Sequence, residues 1–424
     1  MTDIIRLEER LNSETESGRL SALKDLMARY DTGELERPLP GENVNNHIHT
    51  TYSFSPYSPT AAAYLAWKNG LATAGIMDHD SVSGLREFIE AGRIIGSKVT
   101  VGFELRVSFA GTPFEGRRIN NPDQDSVVYL AMHGIPHDKI DEADAFLRPL
   151  REARNLRNRQ MTAKLNDFVR PTGLEIDFEK DVLPLSQYKN GGAVTERHIL
   201  YSLAQKIMDK ISPGPGLISF LEDNYGIKVT ESNREKLNDP GNQWYRYYLL
   251  GVLKGHIMQH FYINADAELP SYSGFVNFGK SIGAVPAYAY LGDVGDSITG
   301  DKRTQQFEDA YLDELVVFLK EVGFKAITYM PSRNTDSQLK RLMALCEKHD
   351  LFEICGEDIN SPFQPFICKA LEREEYKHLI TAAWALIGHE KAPHGAGIFS
   401  DEAIHKYPSL KERIQYFANM GMIK

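Results

Sequence analysis

The stretch GENVNNHIHTTYSF, residues 41–54, decides the reading of this 424-residue chain. Residues 44–49 read as a short strand preceded by the breaker ERPLPGEN. Residues i and i+2 of a strand share a face, so the imidazoles of His47 and His49 turn to the same side. A lone His-X-His is weak evidence of a metal site, but three later segments add ligands in order. GIMDHDSVSG carries Asp78, His79 and Asp80, VGFELRV carries Glu104, and ICGEDINSP carries Glu357 and Asp358. Each follows a short apolar run. In a barrel of alternating strands and helices that placement gathers them at the carboxyl ends of the strands, where the catalytic groups of such barrels sit.

Outward from this stretch the chain divides by rhythm. Residues 1–40 read as a helical extension of two amphipathic helices, one with Ile4, Leu7 and Leu11 on a face and the next with Leu20, Leu23 and Met27. Residues 41–136 alternate strand and helix: a helix opened by Ser58 and Pro59, then the strands LATAGIMDH, KVTVGFELRVSF and SVVYLAMHGI. The last two strands are joined by the hairpin-like AGTPFEGRRINNPDQD, whose Asn120, Asn121 and Asp123 read as a turn or as part of a site mouth. Residues 137–270 read as a mostly helical insertion. Two features there are read as structural: Arg151, Arg154, Arg157 and Arg159 as a solvated helix face, and His256 with His260, one turn apart, as helix surface. Alternation resumes over 271–424 with AVPAYAYLG, a helix over 305–323, FKAITYM, a helix, LFEICGED and C-terminal helices. The fold class predicted is α/β, a TIM-like barrel interrupted by a helical insertion.

The composition, 42% hydrophobic and 25% charged, is that of a globular protein. A net charge of −10 opposes long nucleic acid as a partner, since such binding needs clustered Lys and Arg. The start MTDIIRLEERLNSE is not a signal peptide and no apolar run is long enough to span a membrane, so a cytoplasmic protein is expected. Cys346, Cys355 and Cys368 show no paired spacing and read as buried free thiols.

The ordered motifs resemble the PHP family, the polymerase and histidinol phosphatase metal-dependent phosphoesterases, over about 41–135, 191–205 and 271–365. The family's opening His-X-His matches His47 and His49, its Asp-His-Asp matches Asp78, His79 and Asp80, and its Gly-X-Glu matches Gly102 and Glu104. Its Arg-(Pro)-His matches TERHIL with His198, and its closing Gly-(Ser)-Asp-X-His matches GEDIN with Asp358. The resemblance implies a distorted seven-stranded barrel holding two divalent ions, of zinc, manganese or iron. One ion would take His47, His49, Glu104 and Asp358. The second would share Glu104 and take His198 and a residue of the strand VVYLAMH. Direct alignment puts Tyr129 there, whereas alternation keeps Tyr129, Ala131 and His133 on one face, so that His133 can serve instead.

The chain departs from that pattern in three places. TTYSFSPYSP lacks the ligand that usually follows the first motif, Asn360 stands where the closing histidine is expected, and the Ala-His-Pro strand end reads Ala289-Tyr290-Leu291. A third ion would therefore have lost its ligands, leaving His79 to orient a ligand or to touch substrate. The resemblance implies hydrolysis of a small phosphate mono- or diester by metal-activated water, with Asp358, Glu104 and His79 as the catalytic set. Arg197, Arg303, Arg333 and Tyr290 are candidates to bind a small phosphorylated substrate. The alternative is a non-catalytic metal- or metabolite-binding protein on a degenerate barrel; amide hydrolysis is a third chemistry open to such a centre.

Overall fold

Seven strands follow one another in a single sheet in the computed structural model, which describes residues 2–294, 305–392 and 396–423. They are β1 (Val44–Ile48), β2 (Thr73–His79), β3 (Lys98–Ser108), β4 (Val127–His133), β5 (Val285–Ala289), β6 (Ala326–Tyr329) and β7 (Phe352–Cys355). The strands β1–β2–β3 and β5–β6–β7 pair in parallel, and β4 runs antiparallel to both of its neighbours. The reason lies in the connections. Parallel neighbours need a crossover, whereas β3 returns into β4 through residues 109–126 with no helix between them. Asn120 ties this return down, bonding the Tyr129 backbone through both ends of its amide and donating to the Ala289 carbonyl.

The sheet nearly closes on itself. The segment after β7 meets the end of β1, where His49 N donates to Ile359 O at 2.9 Å and Ile359 N to His47 O at 3.1 Å. The result is the α/β class with a barrel-like sheet that the sequence predicts.

The N-terminal helices α1 (Thr2–Arg10) and α2 (Glu16–Asp31) pack against α3 (Pro59–Lys68) and α4 (Leu85–Ile95). Their junction is polar. Buried Arg19 meets Glu87 of α4 at 2.5 Å, and Glu87 also accepts the backbone N–H and hydroxyl of Thr60. Ser58 caps α3, with Pro59 in the first turn where its missing N–H costs nothing. The helix predicted over 305–323 is shorter, Leu312–Glu321, because Asp309 is engaged before it by Tyr290, Asp293 and Gln338.

Between β4 and β5 run α5 (Ile140–Val169), α6 (Glu196–Lys210) and four further α-helices, Pro215–Tyr225, Glu231–Asn238, Tyr245–Phe261 and Tyr272–Ile282. Met161, Leu165, Leu203, Leu221, Leu249 and Phe261 belong to a hydrophobic cluster separate from the barrel core, and Phe54 joins it from the loop after β1. The C-terminal helices Lys377–Lys391 and Leu410–Met422 pack with strand residues Met77, Ala131, Ala287 and Ile354. These two helices cross at Gly388 and Gly421, where an added Cβ would lie 1.8 Å from Phe417 O or 2.1 Å from Trp384 O. No described helix is long and apolar enough to cross a membrane.

Candidate metal centre

The end of β1 faces the third strand across the barrel mouth. Glu104 stands in register with His79 of β2, and its two carboxylate oxygens are divided among three imidazoles. Oε2 lies 3.5 Å from His47 Nε2; Oε1 lies 3.4 Å from His49 Nε2 and 2.9 Å from His79 Nδ1. His47, His49 and Glu104 are buried, and each offers a ligand atom within 4.8 Å of the other two. Asp358 closes one edge, with Oδ1 3.1 Å from His49 Nε2.

These contacts are not aligned hydrogen bonds, for Nε2 of His47 and of His49 is buried without a hydrogen-bond partner. Orphaned buried nitrogens are costly unless something else satisfies them. Two ligand atoms each about 2.1 Å from a tetrahedral ion stand about 3.4 Å apart, which is the spacing seen. The donor set therefore fits one divalent ion.

The neighbourhood of His49 fixes which of its nitrogens faces that ion. Ser53 Oγ donates to Asp78 Oδ1 at 2.6 Å, which uses its single proton, so it meets His49 Nδ1 at 3.1 Å as an acceptor. The neutral ring thus carries its proton on Nδ1 and turns the Nε2 lone pair inward. Asp78 also accepts the backbone N–H and hydroxyl of Thr50, both at 2.6 Å, and so shapes the loop that follows β1. Burial lowers the His49 pKa, yet Asp358 and Glu104 outweigh it and push the metal-free ring up to about 9, so metal loading displaces a proton. For Glu104, burial is outweighed by His79 and His47, which hold it well below the usual carboxylate range. Asn360 does not face the group as a ligand; its amide donates to Asp358 Oδ1 at 2.7 Å.

Of the residues expected around a second ion, Glu104 belongs to this group. Neither His133 nor His198 joins a group of three close ligand atoms among the described residues. His133 is buried, its Nε2 without a hydrogen-bond partner, and burial followed by the His47 charge pushes it down to about 3. His198 accepts the Thr195 backbone N–H at Nδ1, 3.0 Å away, and sets its ring edge-on to Phe54. Burial and then the Arg154 charge lower it to about 3. Tyr129 lies in the mouth, its ring centroid 5.8 Å from that of His79.

One reading of the sequence is corrected outright. Arg151, Arg154 and Arg157 do not form a solvated face but are buried, leaving only Arg159 on the surface, paired with Glu179. Arg154 joins Asp80 to Glu196, the latter at 2.8 Å; Arg157 holds Glu196 at 2.6 Å and Glu268 at 2.7 Å, and Arg106 completes the network on the same two glutamates. Arg151 donates to the backbone oxygen of Asp80, which adopts a left-handed φ of 52°. The signal was present in the spacing. Leu147, Arg151, Arg154, Asn158, Met161 and Leu165 continue one helical stripe, so the arginines lie on the face that its apolar members bury.

A cleft of about 170 Å³ opens onto the group, with His47, His79, Glu104 and Asp358 on the barrel side and Arg154 and Arg197 on the insertion side. Tyr290 also lines it, its hydroxyl donating to Asp309 at 2.5 Å, as do Asn120 and Asp123. Arg333, in the turn after β6, is not among the lining residues, and Arg303 lies outside the described residues. His256 bonds the Val252 carbonyl of its own helix and His260 stacks on Phe168, so neither joins a metal group.

No protein-family model matches the chain, and no curated protein does. Among solved structures, a protein from Bifidobacterium adolescentis, described provisionally as a metal-dependent phosphoesterase, is 19% identical over 82% of this chain and 98% of its own, with a TM-score of 0.52. An amidohydrolase from Chromobacterium violaceum, solved with bound sulfate and no metal, is 19% identical over 80% of this chain and 96% of its own, with a TM-score of 0.49. At that identity the first likeness speaks for the fold, and the second carries no argument.

Proposed function

We propose that the chain is a metal-dependent hydrolase of the PHP type that cleaves a small phosphate mono- or diester. The observation that carries this reading is the group of His47, His49 and Glu104, whose two Nε2 atoms are buried and unsatisfied at the floor of a cleft. The resemblance in motif order and the fold shared with a protein described as a phosphoesterase support the choice of substrate. A divalent ion held there would supply Lewis acidity and lower the pKa of a bound water.

The chain's own groups take the remaining work. Asp358 has one oxygen engaged by Asn360 and His49, which leaves the other to orient water and accept its proton. His79, about a quarter exposed at the cleft with Nδ1 2.9 Å from Glu104 Oε1, is the candidate to deliver a proton to the leaving group. Arg197, which lines the cleft, is the candidate to hold the substrate anion, while Tyr290, its hydroxyl proton given to Asp309, shapes the wall.

The test is turnover of aryl phosphate, small phosphomonoesters, phosphodiesters and amides by protein stripped of metal and reloaded with zinc, manganese or iron. Ester turnover that returns with metal and is lost in Asp358→Ala supports the proposal. Amide turnover alone would reassign the bond. Metabolite binding in the cleft without turnover of any panel member would favour the binding-protein alternative.

A further inference from the structure

The geometry points to a centre that holds one resident ion and not two. This rests on the metal-dependent reading above and narrows it. His49 and His198 are of opposite tautomer. His49 meets a hydroxyl whose only proton is already given to Asp78, so its Nδ1 is the donor and its Nε2 the lone pair. His198 is the reverse. Its Nδ1 accepts the backbone N–H of Thr195 at 3.0 Å as one half of a reciprocal cap at the start of α6. A neutral imidazole has one acceptor and one donor nitrogen, so Nε2 of His198 carries the proton. It can give a hydrogen bond but has no lone pair for a metal.

Freeing that lone pair would move the proton to Nδ1 and break the cap, leaving the N–H of Thr195 unpaired in a buried position. The ring is also held edge-on to Phe54 with centroids 5.0 Å apart, which resists reorientation. Without His198, the set expected for a second ion is reduced to Glu104 and His133 or Tyr129, and His133 joins no group of three close ligand atoms among the described residues. The insertion side of the cleft is taken up by paired charges. Arg154, 4% exposed, lines the same cleft as Glu104 and Glu196 and is pinned by Asp80 and Glu196. Its Nε is buried with no hydrogen-bond partner.

The experiment is elemental analysis of the full chain after reconstitution with zinc and removal of loosely bound metal, together with nitrogen NMR of histidine-labelled protein in the same state. The expected result is about one ion per chain, a His198 ring protonated at Nε2, and unchanged ion content in His198→Gln, which keeps the T-x-x-Q cap and so the fold. About two ions per chain, with one lost in His198→Gln, would overturn the inference while leaving the metal-dependent reading intact. No bound ion in wild type would overturn both. A His198 ring protonated at Nδ1 in the loaded protein would also refute it, whatever the stoichiometry.

Discussion

Ser53 stands between His49 and Asp78 as a relay of fixed direction: its hydroxyl donates to the carboxylate at 2.6 Å and accepts from the imidazole 3.1 Å away. The serine touches no candidate substrate, yet it decides which nitrogen of His49 meets an ion. Ser53→Ala should therefore weaken zinc affinity by about 10- to 100-fold, the usual effect of losing a group that orients a ligand. Competition with a chelator of known affinity measures it. Unchanged affinity in a folded variant would show that the relay does not set the tautomer.

The buried arginines of α5 give a prediction about stability. Truncating Arg157 takes from Glu196 its closest cation and leaves Glu268 with Arg106, and breaking a buried pair in this way costs about 3–5 kcal/mol. Arg159→Ala should cost less than about 1 kcal/mol, since its pair with Glu179 is exposed. Urea unfolding of both variants decides it. Equal losses would mean that the network contributes no more than a surface pair.

Glu308 gives a pH dependence whose sign can be worked out. It is fully buried, accepts from Tyr288 Oη and Leu291 N through Oε1, and leaves Oε2 without a hydrogen-bond partner; burial pushes its pKa up to about 7. The folded protein thus holds this proton more tightly than the unfolded chain does, and stability falls as pH rises from about 4.5 to about 7. Glu308→Gln keeps the acceptor and removes the ionisation. Its melting temperature should exceed that of wild type at pH 8, with the gain fading toward pH 4.5. A difference independent of pH would contradict the assignment.

Most of the barrel was legible because its strands are short apolar runs set between strong punctuation. Ser58-Pro59 opens α3 and Gly96, at φ 82°, ends α4, so the boundaries needed no tertiary information. The proximity of His47, His49 and Asp358 follows from strand alternation and from their position at or just past a strand's carboxyl end, whereas Glu104 joins them from the middle of β3, in register with the end of β2. The roles of the helical residues were not legible in the same way. The carboxylates that neutralise Arg154 and Arg157 come from 42 and 111 residues away along the chain, and a single sequence does not show such pairings. The tautomer of His198 depends on a backbone N–H at Thr195, which no pattern of side chains announces.

The central claim, that His47, His49 and Glu104 hold an ion, is tested most directly by anomalous diffraction from crystals of zinc-loaded protein, measured above and below the metal edge. The account predicts one strong peak within bonding distance of His47 Nε2, His49 Nε2 and a Glu104 oxygen, absent from Glu104→Ala crystals. Fully loaded crystals with no peak there, or with the ion held elsewhere, would contradict it.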